Sequence, residues 1–123
     1  MKIIEKPWGK EEVLERNAAY MVKRLTMRKG HKCSMQFHRE KIETVYLLSG
    51  SLRIFNGERE GSLVAIELKP HEYITLKPFI VHRMEALEDS VYLESSTPQL
   101  EDVVRLEDAY GRAQKSMEEN NGL

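Results

Sequence analysis

The stretch Gly30-His31-Lys32-Cys33-Ser34-Met35-Gln36-Phe37-His38-Arg39-Glu40-Lys41-Ile42-Glu43-Thr44-Val45-Tyr46-Leu47-Leu48-Ser49-Gly50 decides the fold. Two short strand-like segments flank a polar break. In Ser34 to His38, Ser34, Gln36 and His38 fall on one face and Met35 and Phe37 on the other, the period of a strand. Arg39-Glu40-Lys41-Ile42 reads as a four-residue hairpin loop. Glu43 to Ser49 carries Val45, Tyr46, Leu47 and Leu48 on both faces, as in a strand buried on both sides.

The same pattern continues outward in both directions. Tyr20 to Met27 places Met21, Lys23, Leu25 and Met27 on one face. Leu52–Phe55, Gly61–Leu68, Tyr73–Leu76, His82–Ala86 and Val91–Ser96 read as further strands. Turn signals recur about every ten residues, the spacing of an all-β sandwich or barrel. Asn56-Gly57 is the strongest hairpin signal. Helix-forming residues gather only between Glu107 and Glu119, with Gly111 among them. The expected organisation is one domain over residues 1–123. Within it lie an N-terminal arm 1–19, a barrel core over 20–106, and a C-terminal segment 107–123 holding a short helix.

Charge excludes some partners. With 19 Lys+Arg against 20 Asp+Glu, the net charge of −1 gives no field to steer nucleic acid or an anionic membrane. No apolar run approaches the roughly 20 residues of a membrane span. The N-terminus lacks the pattern of a secretory signal. Cys33 is the lone cysteine, so no disulfide forms within the chain, and a reducing cytoplasmic setting is expected. A free cysteine is most often a small buried hydrophobe. The polar tail over residues 118–122 has the composition of a disordered end.

Gln36, His38, Glu43 and His82 form the set with chemistry in it. Gln36 and His38 share a strand face, the loop returns Glu43 toward His38, and a barrel can bring His82 opposite. Two imidazoles, a carboxylate and an amide oxygen suit a divalent metal with open positions. Zinc is the first expectation, with manganese, iron, nickel or cobalt equally served by these donors. One carboxylate leaves the site a net positive charge that favours an anionic or enediolate-like ligand. The competing reading makes His38 a satisfied core histidine and Glu43 a salt-bridge partner. His31 and His71 adjoin turns and read as solvent-facing.

These residues resemble the first cupin motif, with Gln36 in place of the first histidine of its His-x-His pair. Glutamine there is similar to the type II mannose-6-phosphate isomerase-like cupins. In the bifunctional members of that branch, the cupin domain follows a mannose-1-phosphate guanylyltransferase domain. Lys6-Pro7-Trp8-Gly9 resembles the N-terminal signature of the branch. Asp102-Val103-Val104-Arg105-Leu106-Glu107-Asp108-Ala109-Tyr110-Gly111-Arg112 resembles its C-terminal one. The resemblance runs from Lys6 to Arg112. It implies a double-stranded β-helix (jelly-roll) barrel, a metal site at its bottom, and a homodimer through an exchanged N-terminal strand.

The resemblance also implies interconversion of mannose 6-phosphate and fructose 6-phosphate, an aldose–ketose isomerisation through an enediolate that a metal stabilises. Arg112 is the candidate for phosphate or catalytic contact, and Lys32 and Lys41 are candidates for proton transfer by position. The chain departs from the pattern in places. Glu72 stands where glycine is usual, Lys77-Pro78-Phe79-Ile80-Val81 lacks the Pro-x-Gly turn before His82, and Lys41-Ile42 and Thr44-Val45 replace the usual neighbours of Glu43. Three functions follow: a metal-dependent sugar-phosphate isomerase, a non-catalytic cupin that senses a sugar or sugar nucleotide, and an iron-dependent dioxygenase.

Overall fold

The computed structural model describes residues 2–99 and 101–111. They form eleven strands: β1 (Lys2–Lys6), β2 (Gly9–Arg16), β3 (Met21–Met27), β4 (Met35–His38), β5 (Glu43–Ser49), β6 (Leu52–Gly57), β7 (Val64–Leu68), β8 (Tyr73–Leu76), β9 (Val81–Ala86), β10 (Ser90–Ser96) and β11 (Val103–Glu107). Two antiparallel sheets face each other. One has the order β1-β2-β3-β10-β5-β8, the other β11-β4-β9-β6-β7. From β3 to β6 and again from β7 to β11 consecutive strands alternate between the sheets in the jelly-roll manner, and the all-β double-stranded β-helix expected from the sequence is present.

The space between the sheets is divided along the strands. Leu47, Leu52, Ile54 and Ala86, each 1% exposed or less, close one end with apolar packing. At the other end β5 begins with Glu43, β4 finishes with His38, and β9 presents His82 beside Gln36. Met21, Lys23, Leu25 and Met27 share the inner face of β3, as their alternation requires; the three apolar members are buried. β5 is buried on one face only. Val45 and Leu47 point inward, while Thr44 bonds Thr75 and Tyr46 bonds His71 on the outside.

Several expectations change. β4 and β5 are not a hairpin: they lie in opposite sheets, and residues 39–42 cross between them. The crossing is held by side-chain capping in place of ladder bonds. The Asp102 carboxylate accepts from the backbone N–H groups of Arg39, Glu40 and Lys41 at 3.1, 2.8 and 2.8 Å, and Thr97 Oγ1 accepts from Ile42 N at 3.0 Å. Burial would raise the Asp102 pKa, but these backbone donors hold it below the usual aspartate value. Asn56-Gly57 is not a two-residue turn either. Both residues end β6, and the chain returns to β7 through residues 58–63, which include a 3-10 turn at Glu60–Ser62.

The N-terminal arm, residues 1–19, holds two strands. β1 pairs with β2, β2 pairs with β3, and Trp8 in the turn between them is core at 4% exposure. Gly9 permits this, because a Cβ there would overlap the Thr26 carbonyl oxygen. At the other end, Val103–Glu107 is a strand and residues 108–111 turn, so no helix begins at Glu107. The rest of the expected helix, and Arg112, lie outside the described residues.

Candidate metal centre

His38 from β4, Glu43 from β5 and His82 from β9 converge from both sheets. One potential ligand atom from each lies within 4.8 Å of the others. The Nε2 atoms of His38 and His82 stand 3.3 and 3.1 Å from Glu43 Oε1, and the ring centroids are 5.4 Å apart. All three side chains are buried, His82 at 1% exposure. Burial alone would raise the Glu43 pKa; the two imidazoles reverse this and hold it well below the usual carboxylate range.

The donor set fits a metal. His82 Nδ1 lies 2.9 Å from the Ile80 carbonyl, which only accepts, so Nδ1 carries the proton. Nε2 faces the Glu43 carboxylate at 3.1 Å, with no hydrogen-bond partner assigned among the described residues. A nitrogen and a carboxylate oxygen this close hold a cation between them, either a proton on Nε2 or a metal ion bound by both. An Nδ1–H held by a carbonyl is the usual outer support of a metal-binding histidine. His38 lacks that support, since its buried Nδ1 is likewise without a partner among the described residues.

The abnormal turn before His82 explains its orientation. Phe79 adopts φ 67°, the left-handed position a glycine would fill. Phe79 N donates to the His38 carbonyl at 2.7 Å, and the ring stacks on Phe37 at 5.9 Å. These contacts offset the strain and tie the turn carrying Ile80 to β4. At the other altered turn the left-handed residue is His71, with φ 76°, rather than Glu72. His71 is exposed there, as its place beside a turn implies. His31 is not solvent-facing: it is half-buried, stacked on Tyr110, with Nδ1 2.6 Å from the tyrosine Oη.

Two members of the trio, His38 and Glu43, face a cavity of about 230 Å³. Gln36, His38, Lys41 and Glu43 line it. The Gln36 amide nitrogen is 3.4 Å from the Ser34 carbonyl, so the oxygen is the amide atom not engaged there. Lys41 is 6% exposed, and burial, helped by Lys23, lowers its pKa. Lys32 does not line the cavity; its backbone bridges to Glu85. Cys33 is buried at the wall, and burial pushes its thiol up to about 11, so it is an inert packing group.

Further lining residues escaped the sequence reading: Lys6, Glu11, Lys23, Tyr92, Glu94 and Arg105. Lys23 Nζ is 3.1 Å from Glu11 Oε1. β10 hides its polarity, because Tyr92 and Glu94 point inward while Val91 and Leu93 sit on the opposite face. The available signal was Lys23, a charge in the middle of an otherwise apolar face.

A double-stranded β-helix with a buried His-Glu-His group at one end defines a cupin. The family model of the mannose-6-phosphate isomerase C-terminal domain matches residues 2–108, and the chain belongs to that family. It is 31% identical over 114 residues to the mannose-1-phosphate guanylyltransferase ManC of Salmonella typhimurium, covering 89% of this chain and 23% of that protein. Among solved structures, KdgF from Halomonas sp. superposes with a TM-score of 0.71 at 16% identity, over 82% of this chain and 89% of that one. The capsular polysaccharide assembling protein CapF of Staphylococcus aureus gives 0.76 at 14% identity, over 86% of this chain and 31% of that one. The chain thus spans about a quarter of the length of the curated relatives it matches. No helix among the described residues is long and apolar enough to cross a membrane.

Proposed function

We propose that this chain is a metal-dependent sugar-phosphate isomerase acting on mannose 6-phosphate or a closely related aldose phosphate. One observation carries the reading: His38 and Glu43 of the His38–Glu43–His82 group line a cavity whose walls include four cationic side chains, Lys6, Lys23, Lys41 and Arg105. His38, Glu43 and His82 would hold a divalent ion, with the Gln36 amide oxygen as a fourth donor. Zinc, manganese, iron, nickel and cobalt all accept such donors. When bound, the ion would polarise the substrate carbonyl and stabilise charge developing on its oxygen. The cations offer the phosphate its counter-charges, and the closed apolar end keeps water from entering behind the substrate.

The test is a coupled assay of fructose 6-phosphate formation by the purified chain loaded with each metal in turn. Turnover that disappears on chelation supports the reading. Tight binding of the sugar phosphate with no turnover under any metal favours a non-catalytic sugar-sensing cupin instead. The altered neighbours of Glu43 favour that second reading, since Ile42 stands 43% exposed beside the site. A homodimer is part of the proposal; the outer edge of β1, with Ile3 at 55% exposure, offers the surface. Sedimentation at equilibrium tests it, a monomer ruling it out.

A further inference from the structure

We propose that Glu94 is the catalytic base of this cavity, the carboxylate that carries the proton between C1 and C2 of the sugar phosphate. The inference rests on the isomerase reading above and assigns the step that reading left without a residue.

The strand register puts Glu94 in place. In β10 it pairs with Lys23 of β3 on one side and with Val45 of β5 on the other, so its side chain shares their inward face. Glu43 pairs with Ser96, one inward position further along. Glu94 and Glu43 are therefore diagonal neighbours, with Cα atoms roughly 7–8 Å apart. That spacing leaves room for a substrate held at the trio to present its first two carbons to the second carboxylate. Glu94 has intermediate surface exposure because it faces the cavity and not bulk solvent.

The chemistry of this wall points to a polar ligand. Tyr92 lies two residues before Glu94 on the same face and is fully buried; its Oη has no partner among the described residues. The same holds for Trp8 Nε1, on the same cavity. Buried polar groups are almost always satisfied, and two orphans on one cavity are donors placed for hydroxyl groups. The charged groups around Glu94 are Glu43 on β5, Lys23 on β3, Glu11 on β2 and Lys41 on the crossing loop, with Lys6 and Arg105 on the same cavity. Burial first, then the Glu43 charge, raise the carboxyl to about 8, with Lys23 opposing.

The step balances without an added reagent. The C2–H bond of the open-chain aldose breaks; its proton forms the O–H of Glu94 and its electron pair the C1–C2 double bond, leaving an oxyanion at O1. The O2 proton passes to O1. The oxyanion at O2 then re-forms a carbonyl at C2 as C1 takes the proton back from Glu94, giving the ketose.

The test compares the full chain with Glu94→Gln and Glu94→Asp, each loaded with the same metal. Four quantities are read: bound metal by elemental analysis, mannose 6-phosphate affinity by calorimetry, turnover, and loss of deuterium from C2 to solvent. The expected result is metal content and affinity within about threefold of the parent for Glu94→Gln. Its turnover and exchange should fall by about 10²–10⁴, with partial recovery in Glu94→Asp. Glu94→Gln turnover within tenfold of the parent overturns the assignment and leaves the isomerase reading standing. A fall matched by equal loss of metal or affinity overturns it as well, making Glu94 a structural group. A parent chain with neither turnover nor exchange under any metal overturns the isomerase reading, and the base role with it.

Discussion

Two walls of one cavity differ in how they are built. The first, at the ends of β4, β5 and β9, carries His38, Glu43 and His82 and is tied down by short-range devices: the Asp102 caps on residues 39–41, the Phe79 turn, and the Ile80 carbonyl on His82. The second, in mid-strand on β3 and β10, carries Lys23, Tyr92 and Glu94 and is held only by the sheet ladder and one ion pair with Glu11. The first wall suits a fixed ligand that tolerates little displacement. The second has a buried tyrosine hydroxyl without a partner among the described residues and a carboxyl raised by burial, features that suit a ligand which comes and goes.

The comparison breaks most decisively at the first wall. His82→Ala removes the better supported of the two imidazoles, and His38→Ala the less supported one. Both should lower bound metal, by a hundredfold or more in affinity for His82→Ala, measured by competition with a chelator, with the smaller loss in His38→Ala. Unchanged metal content in both purified variants would falsify the site. Equal losses would show that the Nδ1 contact to Ile80 contributes nothing to orientation.

Asp102→Ala probes the same wall through its scaffold. Three backbone donors lose a charged acceptor, and one of them, Lys41 N, is part-buried. A loss of about 2 kcal/mol in unfolding free energy is expected, with roughly half regained in Asp102→Asn, which keeps an oxygen acceptor. Because the crossing loop sets Glu43 against His38, metal affinity should fall along with stability. A stable variant with weakened metal binding would sharpen the point; a destabilised variant with intact binding would separate the loop from the site.

How much of each wall could be read beforehand follows from the same contrast. His38, Glu43 and Gln36 sit close together in the chain, so spacing alone grouped them, and strand periodicity placed Gln36 and His38 on one face. Asp102 could not be read as a cap, because its partners lie some 60 residues away and the capped segment resembled a hairpin loop. Glu94 was hidden because the inward face of β10 carries tyrosine and glutamate while valine and leucine face out. A reader who assigns the apolar face to the core picks the wrong side. The strands were legible from β3 to β10, but β1, β2 and β11 were not, since their residues alternate poorly and their pairing is fixed by Gly9 and by β4. At His82 the missing Pro-x-Gly turn has a local answer: phenylalanine occupies the left-handed position, and the Ile80 carbonyl holds the histidine Nδ1.

The second wall should respond to pH in the metal-free protein. The folded Glu94 carboxyl titrates at about 8 against an unfolded value of 4.5, so between these values the folded state holds the extra proton. Stability should therefore fall as pH rises through that window, and level off above it. Glu94→Gln lacks this proton, so its unfolding free energy should gain on the parent by on the order of 1–2 kcal/mol from pH 5 to pH 8, after allowance for the solvated cavity. Parallel urea denaturation curves at the two pH values decide it. A constant difference would mean that Glu94 is ionised throughout and freely solvated.

The smallest effect is expected at Phe79. Glycine there would release the left-handed strain of a bulky residue, which favours the variant by up to about 1 kcal/mol, but it would also forfeit the stack on Phe37 and add freedom to the unfolded chain. The backbone bond from residue 79 to the His38 carbonyl survives in either case, because it needs no side chain. Phe79→Gly should therefore change stability by less than about 1 kcal/mol and leave metal affinity unaltered. Phe79→Val should be distinctly worse, since a β-branched residue resists positive φ and stacks on nothing. If Phe79→Gly weakens metal binding, the Phe37–Phe79 contact is itself part of what aims His82, and the first wall extends onto the outer face of the sheet.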